Sequence, residues 1–538
     1  DARRFWNKVT GFQSNHANDQ KRLFELMKQY KERCDRETRG EAYIFGSSVP
    51  EFDEFLFMVT SETVREAGCL QAYDALSVEQ QLELKDATWT RISQDIGERE
   101  FAKLTPEQKS DIDLSLWAGC CMHKELNAFK GGVNAMAEFW WDILFKMGLQ
   151  SHIDLGPCKL YNRDNAASAK AAGTDAAMRA EGVSFGGAIK LVSLCGAIFR
   201  HKDRKRGQQD SLRFFFDLKV GFIICFPDTS NSHFQSHEEA CVIVIVHLDL
   251  FIEFLDYVRD NKGTRTLNHM ESNVFKGLKD IPTRTELCVV SLYWLAISVP
   301  YMREIRGHAQ CTDNALLLCP LHQRLSAHLE TLLQNPGLLL DSDASWETAT
   351  LDGKMWQRPE AFYAVQQYAP SLPHLRELLI AFLIGARATW IKFSKEFAPG
   401  GALDKATPEQ IEEAWLSVTN DLCVSSFGTW RQQSKANPTL SRAFYLRLAP
   451  PPHHEHYLLP HSPDFGQLRI SSEYHLFSVI MSVQHQMDSL PANLTTSYTS
   501  VASALLLSNI RAANRMPNKD RPPLSFFSGT HFPSFSLF

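Results

Sequence analysis

No stretch of the 538-residue chain supplies the roughly 18 uninterrupted apolar residues that a membrane-crossing helix needs. The nearest run, LCVVSLYWLAISVPYM (287–302), carries Ser291, Ser298 and Pro300 and reads as a buried helix. No signal peptide is visible, and no membrane partner is expected. Excess positive charge is also missing. The net charge of −6 excludes a globally basic DNA-coating protein and leaves a local basic groove open. The 12 cysteines are scattered through a large chain, which argues against a disulfide framework and for a reducing compartment, nucleus or cytosol. No G-x-x-x-x-G-K-[ST] loop, dinucleotide fingerprint or H-E-x-x-H is present, so ATPase, dehydrogenase and zincin readings have no motif to stand on.

What is present is ordinary globular material, 44% hydrophobic and 22% charged, long enough for two to four domains. Residues 18–35 carry Leu23, Leu26, Met27 and Tyr30 at helical spacing. Residues 51–110 read as charged helices. Thr105-Pro-Glu-Gln and Thr407-Pro-Glu-Gln are helix-start signals, with proline at the first position and an acid in the first turn. Residues 112–119 read as a strand feeding a helix over about 122–147. LKVGFIICF (218–226) is strand-like, and helical patterns dominate from Ser236 to Phe397, interrupted by a loop over 347–360. Trp140 and Trp141 read as core, and residues 374–393 as an amphipathic helix facing a neighbouring helix. From about residue 438 the chain becomes rich in Ser, Pro and His. It holds the HHEH cluster at 453–456 and reads as a poorly ordered tail.

Three segments carry candidate chemistry. Cys120 and His123 form a C-x-x-H unit, and Cys319 and His322 form another. One helical turn brings such a pair to one point, so the four together are a candidate Cys2His2 zinc site, against the plainer reading of packed thiols and a capping histidine. The run 201–213 holds five Lys/Arg against two Asp. With Arg200, its Lys202, Arg204, Lys205, Arg206 and Arg213 suit backbone phosphates, against the reading of a solvated helix end; Gln208 and Gln209 suit phosphate or base contacts. The third is the string Ser232–Ser236, where His233 beside Phe234 suits base or phosphate contact and Ser236 reads as a helix N-cap with Glu238 and Glu239 in the first turn.

In this order, residues 115–132, 196–216 and 226–240 resemble the middle of a hAT-like DNA transposase. The resemblance spans roughly 12–35 and 112–435 and implies an α/β, predominantly helical fold: an RNase H-like mixed-sheet core interrupted by large helical insertions. Residues 1–35 and 112–235 would belong to the core, 36–110 and 236–404 to helical insertions, and 405–437 to the closing helix of the core. The strand-end pattern C-x-x-H-x-x-N-L has its counterpart in Cys120–Asn127, with Asn127 one residue late. The T-R-W-N-S-like string has its counterpart in Ser232–Ser236, with His233 for Arg and Phe234 for Trp.

The resemblance also implies two Asp and one Glu holding Mg²⁺ or Mn²⁺ for DNA cleavage and strand transfer. The first Asp has no matching strand here and is expected upstream of Asp1, as is the family's zinc-finger DNA-binding module. The second falls near Asn15, an amide, leaving Asp19 as the substitute. The Glu falls near Val424 or Ser425, leaving Asp421, with Glu409, Glu412 and Glu413 in the same stretch. The expectation is a DNA-binding, transposase-derived protein with a degenerate two-metal site, compatible with a homo-oligomer. The competing expectation is a non-enzymatic helical scaffold, told apart by the strand content before residue 230.

Overall fold

The computed structural model describes residues 2–146, 156–169, 174–201, 207–229, 235–306, 314–419 and 421. The tail from 438, with its HHEH cluster, and most of the 405–437 segment beyond Thr419 lie outside the described residues. The described residues are mostly helical, 75% helix against 3% strand. Contacts divide them into two compact units, one drawn from the described residues of 1–120, 314–317 and 402–419, the other from those of 121–306 and 318–401.

In the first unit, β1 (Gly11–Ser14) and β2 (Leu116–Gly119) pair in parallel, from Gly11 opposite Leu116 to Ser14 opposite Gly119. Among the described residues this two-stranded ladder is the whole sheet. Helices fill the sequence between the strands, and their starts are written in local chemistry. Ser48 with Glu51, Ser77 with Gln80 and Thr105 with Gln108 each form a reciprocal capping box; the Thr105 start was legible in the sequence. The Asn18–Gly46 helix packs along the Val78–Ala102 helix, where Gly40 lies against the Ser93 carbonyl and Gly97 against the Arg36 carbonyl. Ile44, Val59, Ile92 and Ile96 form one core cluster; Trp6, Phe12 and Cys34 form another, with Phe24, Met27 and Tyr30 packed on it. Arg36 is buried and pairs with Asp35, Glu98 and Asp113, its guanidinium 3.2 Å from the Phe101 ring centroid.

The expected strand over 112–119 is shorter than its apolar pattern suggested. The helix capped at Thr105 runs to Ile112, so pairing starts only at Leu116. The strand expected over 218–226 does not form. Leu212, Phe215 and Phe216 supply a buried helical face, which carries the Gln209–Val220 helix into that segment until Gly221 stops it at φ 74°.

In the second unit the regular elements among the described residues are helices. Their centre is Ile281–Tyr293, continued through a π turn, Trp294–Ser298, into Val299–Arg306. By length and composition alone Ile281–Arg306 could cross a membrane, but 94% of its apolar window is buried in the fold, as expected for 287–302. The Leu375–Phe393 helix buries Leu375, Leu378, Leu379, Phe382, Leu383, Ala386 and Trp390; its main neighbour is the Cys121–Lys146 helix. Trp140 is buried, its indole N–H donating to Glu286 Oε1 at 3.0 Å. Trp141 is 71% exposed, correcting the expectation that both tryptophans are core: successive helical residues point about 100° apart. Ser236 is not an N-cap either. It is the first helical residue, and the cap position belongs to Gln235, at φ 59°.

Candidate functional site

Parallel strands that each lead into a helix present their carboxyl ends as the place where polar side chains gather. Past β1 the chain reads Asn15-His16-Ala17 before the helix opens at Asn18. The ladder extends one step, Cys120 N–H donating to the Ser14 carbonyl at 2.9 Å. Trp117 Nε1 donates to Ser14 Oγ at 2.9 Å, the buried His16 ring meets Trp117 edge-on at 5.3 Å, and the Lys21 ammonium lies 5.7 Å from the Trp117 centroid.

A third segment lies alongside β1. The helix Pro408–Ala414 starts at Thr407, which closes a capping box with Gln410 as its sequence signalled. Beyond it, Thr10 Oγ1 donates to the Glu413 carbonyl at 3.3 Å, and Gln13 Nε2 donates to the Ser417 carbonyl. Asn314 forms a bridge to Ser417, and its Oδ1 accepts from Leu416 N–H at 3.0 Å.

The candidate acids do not form a metal cradle there. Asn15 Oδ1 accepts from Ala17 N–H at 3.3 Å, and Asp19 Oδ1 accepts from Gln20 N–H at 2.9 Å, so both close their own turns. Asp421 is exposed and accepts from Thr419 Oγ1 at 3.0 Å; Glu409, Glu412 and Glu413 are exposed as well. Among the described residues no three His, Cys, Asp or Glu side chains stand together to hold a metal ion. For the candidate zinc ligands, Cys120 is buried at the end of β2, His123 is half-buried, and Cys319 opens the Cys319–Gln334 helix. His322 stacks flat on Phe397, centroids 4.1 Å apart and planes within 7°.

Of the basic candidates, Arg200 is the exposed C-cap of the Gly187–Phe199 helix, and half-buried Arg213 points Nη2 at Cys225 Sγ, 3.6 Å away. Lys202, Arg204, Lys205, Arg206 and His233 lie outside the described residues. Gln208, expected to meet phosphate or base, instead donates to the buried Glu271 at 3.0 Å.

The sequence reading missed the strongest electrostatic feature of the second unit. Glu125 on the Cys121–Lys146 helix and Glu238 on the Ser236–Val246 helix are each 1% exposed. Ser298 Oγ lies 2.8 Å from Glu125 Oε1 and 2.6 Å from Glu238 Oε1. Burial raises the Glu125 carboxyl to about 7, and burial with the neighbouring Glu125 raises Glu238 well above its ordinary range. A third buried acid, Glu286, raised to about 7 by burial, accepts from the N–H of Ala188 at 2.7 Å, where the Gly187–Phe199 helix begins. A signal for Glu125 was available: Cys121, Met122, Glu125, Ala128 and Phe129 form one helical stripe, and all are buried.

His322 offers a direct check on its environment. Burial, with the nearby Lys124 charge, holds the ring neutral, well below the usual histidine range, and neither ring nitrogen has a hydrogen-bond partner among the described residues. A histidine with a depressed folded pKa gives stability that is complete above its unfolded value and is lost as pH falls below it. His322→Phe keeps the stack on Phe397 and removes both buried nitrogens. It is expected to raise stability at neutral pH by about 1 kcal/mol and to flatten the loss between pH 6.5 and acid in urea titrations. A drop in stability at neutral pH would show the nitrogens to be engaged.

Comparison of the chain with protein-family models, with curated proteins and with solved structures found no match.

Proposed function

We propose that this chain is derived from a hAT-like DNA transposase, built on an RNase H-like core, and that it contacts DNA without carrying out two-metal cleavage. The supporting observation is the parallel pairing of Gly11–Ser14 with Leu116–Gly119. These two segments are about a hundred residues apart, and the resemblance assigns both to one core. The segment ending at Ser417 flanks β1, as a closing element would. The loss of cleavage rests on donor chemistry. Asn15 offers a neutral amide where a divalent cation needs a carboxylate, Asp19 is turned onto its own backbone, and Asp421 is exposed. These residues do not fit a Mg²⁺ or Mn²⁺ pair.

DNA affinity then comes from phosphate contacts by Arg200, Lys202, Arg204, Lys205, Arg206 and Arg213, with His233, in a nuclear protein. Binding of the full chain to duplex DNA, followed by fluorescence anisotropy across a salt series, tests this. Each phosphate contact contributes about −0.9 to the slope of log K against log salt. Lys202→Ala/Arg204→Ala/Lys205→Ala/Arg206→Ala is expected to flatten that slope by about 3 to 4, and Mg²⁺ or Mn²⁺ is expected to yield no nicked product. Binding that ignores the fourfold substitution would remove the DNA role of this run, and metal-dependent nicking would restore the catalytic reading.

The second reading, a non-enzymatic helical scaffold, is favoured by the second unit, whose described regular elements are all helices apart from one bridge between Lys159 and Gly186. Absence of DNA binding at low salt would turn the case to it.

A further inference from the structure

Three unusual features meet at one buried point of the second unit. The first is the carboxyl pair of Glu125 and Glu238 on either side of the Ser298 hydroxyl. The second is the π turn Trp294–Ser298, an uncommon geometry in which a widened turn disturbs the helical ladder. The third is Gln235, a non-glycine residue held at φ 59°, whose Nε2 donates to the Ser298 carbonyl at 3.2 Å. The segment at Gln235 is therefore tied to the backbone of the same serine whose side chain separates the two acids.

We propose that Glu125, Glu238 and Ser298 form a proton-held latch, which pins the start of the Ser236–Val246 helix to the Cys121–Lys146 helix and to the π turn while the two carboxyl groups keep at least one proton between them, and which lets go when both ionise.

The geometry requires that proton. A serine hydroxyl has one hydrogen and donates to one acceptor at a time. Its oxygen lies within hydrogen-bond distance of both carboxyl groups, so one carboxyl must be the donor when the other is the acceptor. With both ionised, one oxygen–oxygen contact has no hydrogen in it, and two anions face each other out of water. The groups around them offer no relief. Tyr293, on the Ile281–Tyr293 helix, is a phenol pushed up by burial and by both acids, and it accepts from Trp390 Nε1 of the Leu375–Phe393 helix at 3.2 Å. Cys241, one turn on from Glu238, is a thiol pushed up by burial and by Glu238, Glu286 and Cys195 of the Gly187–Phe199 helix. Lys124, next to Glu125, is engaged by Glu396 and the Phe393 carbonyl. His237, next to Glu238, meets Ser193 Oγ at 3.1 Å and is held neutral by burial and by Lys130. No cation among the described residues faces the pair.

The direction in pH follows. A carboxyl whose folded pKa is raised gives stability that is complete below the unfolded value, near 4.5, and is lost as pH rises through the folded value, about 7 for Glu125 and well above the ordinary carboxyl range for Glu238. The latch therefore weakens on the alkaline side. Histidines buried neutral contribute a slope of opposite sign through their unfolded value near 6.5, so between pH 6.5 and about 8, before unfolded-state thiols ionise, the carboxyls are read as the difference in slope between wild type and each glutamine variant.

Urea unfolding of the full chain across that window, for wild type, Glu125→Gln and Glu238→Gln, tests the latch. Each proton held by the folded chain lowers the folding equilibrium constant by up to about tenfold per pH unit. Glutamine replaces the protonated carboxyl in shape and donor, so Glu238→Gln is expected to fold and to lose its share of that slope. Infrared spectra at pH 7 give a readout independent of unfolding: a protonated-carboxyl absorption is expected in wild type, persisting in Glu286→Gln and shrinking in Glu125→Gln or Glu238→Gln. Equal slopes in wild type and both latch variants would overturn the proposal. So would the absence of a protonated carboxyl from Glu286→Gln at pH 7, even if a latch variant failed to fold.

Discussion

Replacing Gly131 with valine is expected to remove most of the stability of the second unit. The Cys121–Lys146 and Leu375–Phe393 helices approach so closely that side-chain atoms have no room between them. A Cβ on Gly131 would overlap Thr389 Oγ1 and crowd the Gly385 carbonyl. A Cβ on Gly385 would overlap the Gly131 carbonyl and crowd Ala135, and one on Gly132 would run into the Phe382 ring. Two of these obstacles are backbone, which cannot swing aside as a flexible side chain does. Thr389 is itself fixed, its hydroxyl donating to the Gly385 carbonyl at 2.8 Å. Forcing the helices apart would strip contacts from Phe129, Phe382 and Tyr293, all buried along the crossing. Overpacking costs about 1–3 kcal/mol in a core that can shift, and this one cannot shift without losing the crossing. Gly131→Ala is expected to lose less, because alanine regains about 1 kcal/mol of helix propensity. Gly182, in the Asp175–Val183 helix, meets nothing within 4 Å, so Gly182→Ala should be neutral or slightly stabilising. Urea unfolding read by tryptophan fluorescence, with Trp140 and Trp390 buried in this unit, ranks the three. Equal effects of Gly131→Val and Gly182→Ala would refute the close-approach account.

Those glycines illustrate what the sequence discloses. Local grammar was legible: Thr105 and Thr407 cap the helices their Pro-Glu-Gln tails announce, and Asn18 onward is helical through Tyr30 as its spacing required. Of the two segments that form the ladder, 112–119 was legible as a strand. Their parallel register was not, because pairing across a long helical insertion leaves no local trace. The 218–226 segment failed where two periodicities compete: Phe222, Ile223, Ile224 and Phe226 look like a strand, but the upstream face of Leu212, Phe215 and Phe216 sets a helix first. At the candidate site, that position 15 offers an amide and no carboxylate was visible in the letters alone. That Asp19 turns onto its own backbone was not. The buried acids were overlooked because charge was taken as a mark of surface. Glu125 lies on an apolar stripe, and only burial together with Ser298 reveals its role.

The same helical turn yields the second large effect. Lys124 has no exposed side-chain surface; its ammonium donates to the Phe393 carbonyl at 2.9 Å, pairs with Glu396, and lies 5.1 Å from the Phe397 ring centroid. Glu396 is 8% exposed, so the pair is removed from water at both ends. Lys124→Met keeps much of the stem and deletes the charge. It is expected to cost about 3–5 kcal/mol, mostly the penalty of a buried carboxylate left without its cation. Glu396→Leu alone should be costly for the mirror reason, leaving a buried ammonium. Lys124→Met/Glu396→Leu removes both charges and is expected to recover most of the loss, since a buried ion pair is close to neutral against an apolar replacement of similar volume. A double-mutant cycle in urea therefore should show strong coupling. Additive losses would mean that Lys124 acts through its bond to the Phe393 carbonyl and its contact with Phe397 instead. Adjacent residues thus meet opposite requirements. Lys124 is paired with a group of opposite sign, while Glu125 faces another acid and a hydroxyl, so its burial is tolerated only with a proton. The H-K-E-L-N string at 123–127 owes two of its letters, Lys124 and Glu125, to core electrostatics.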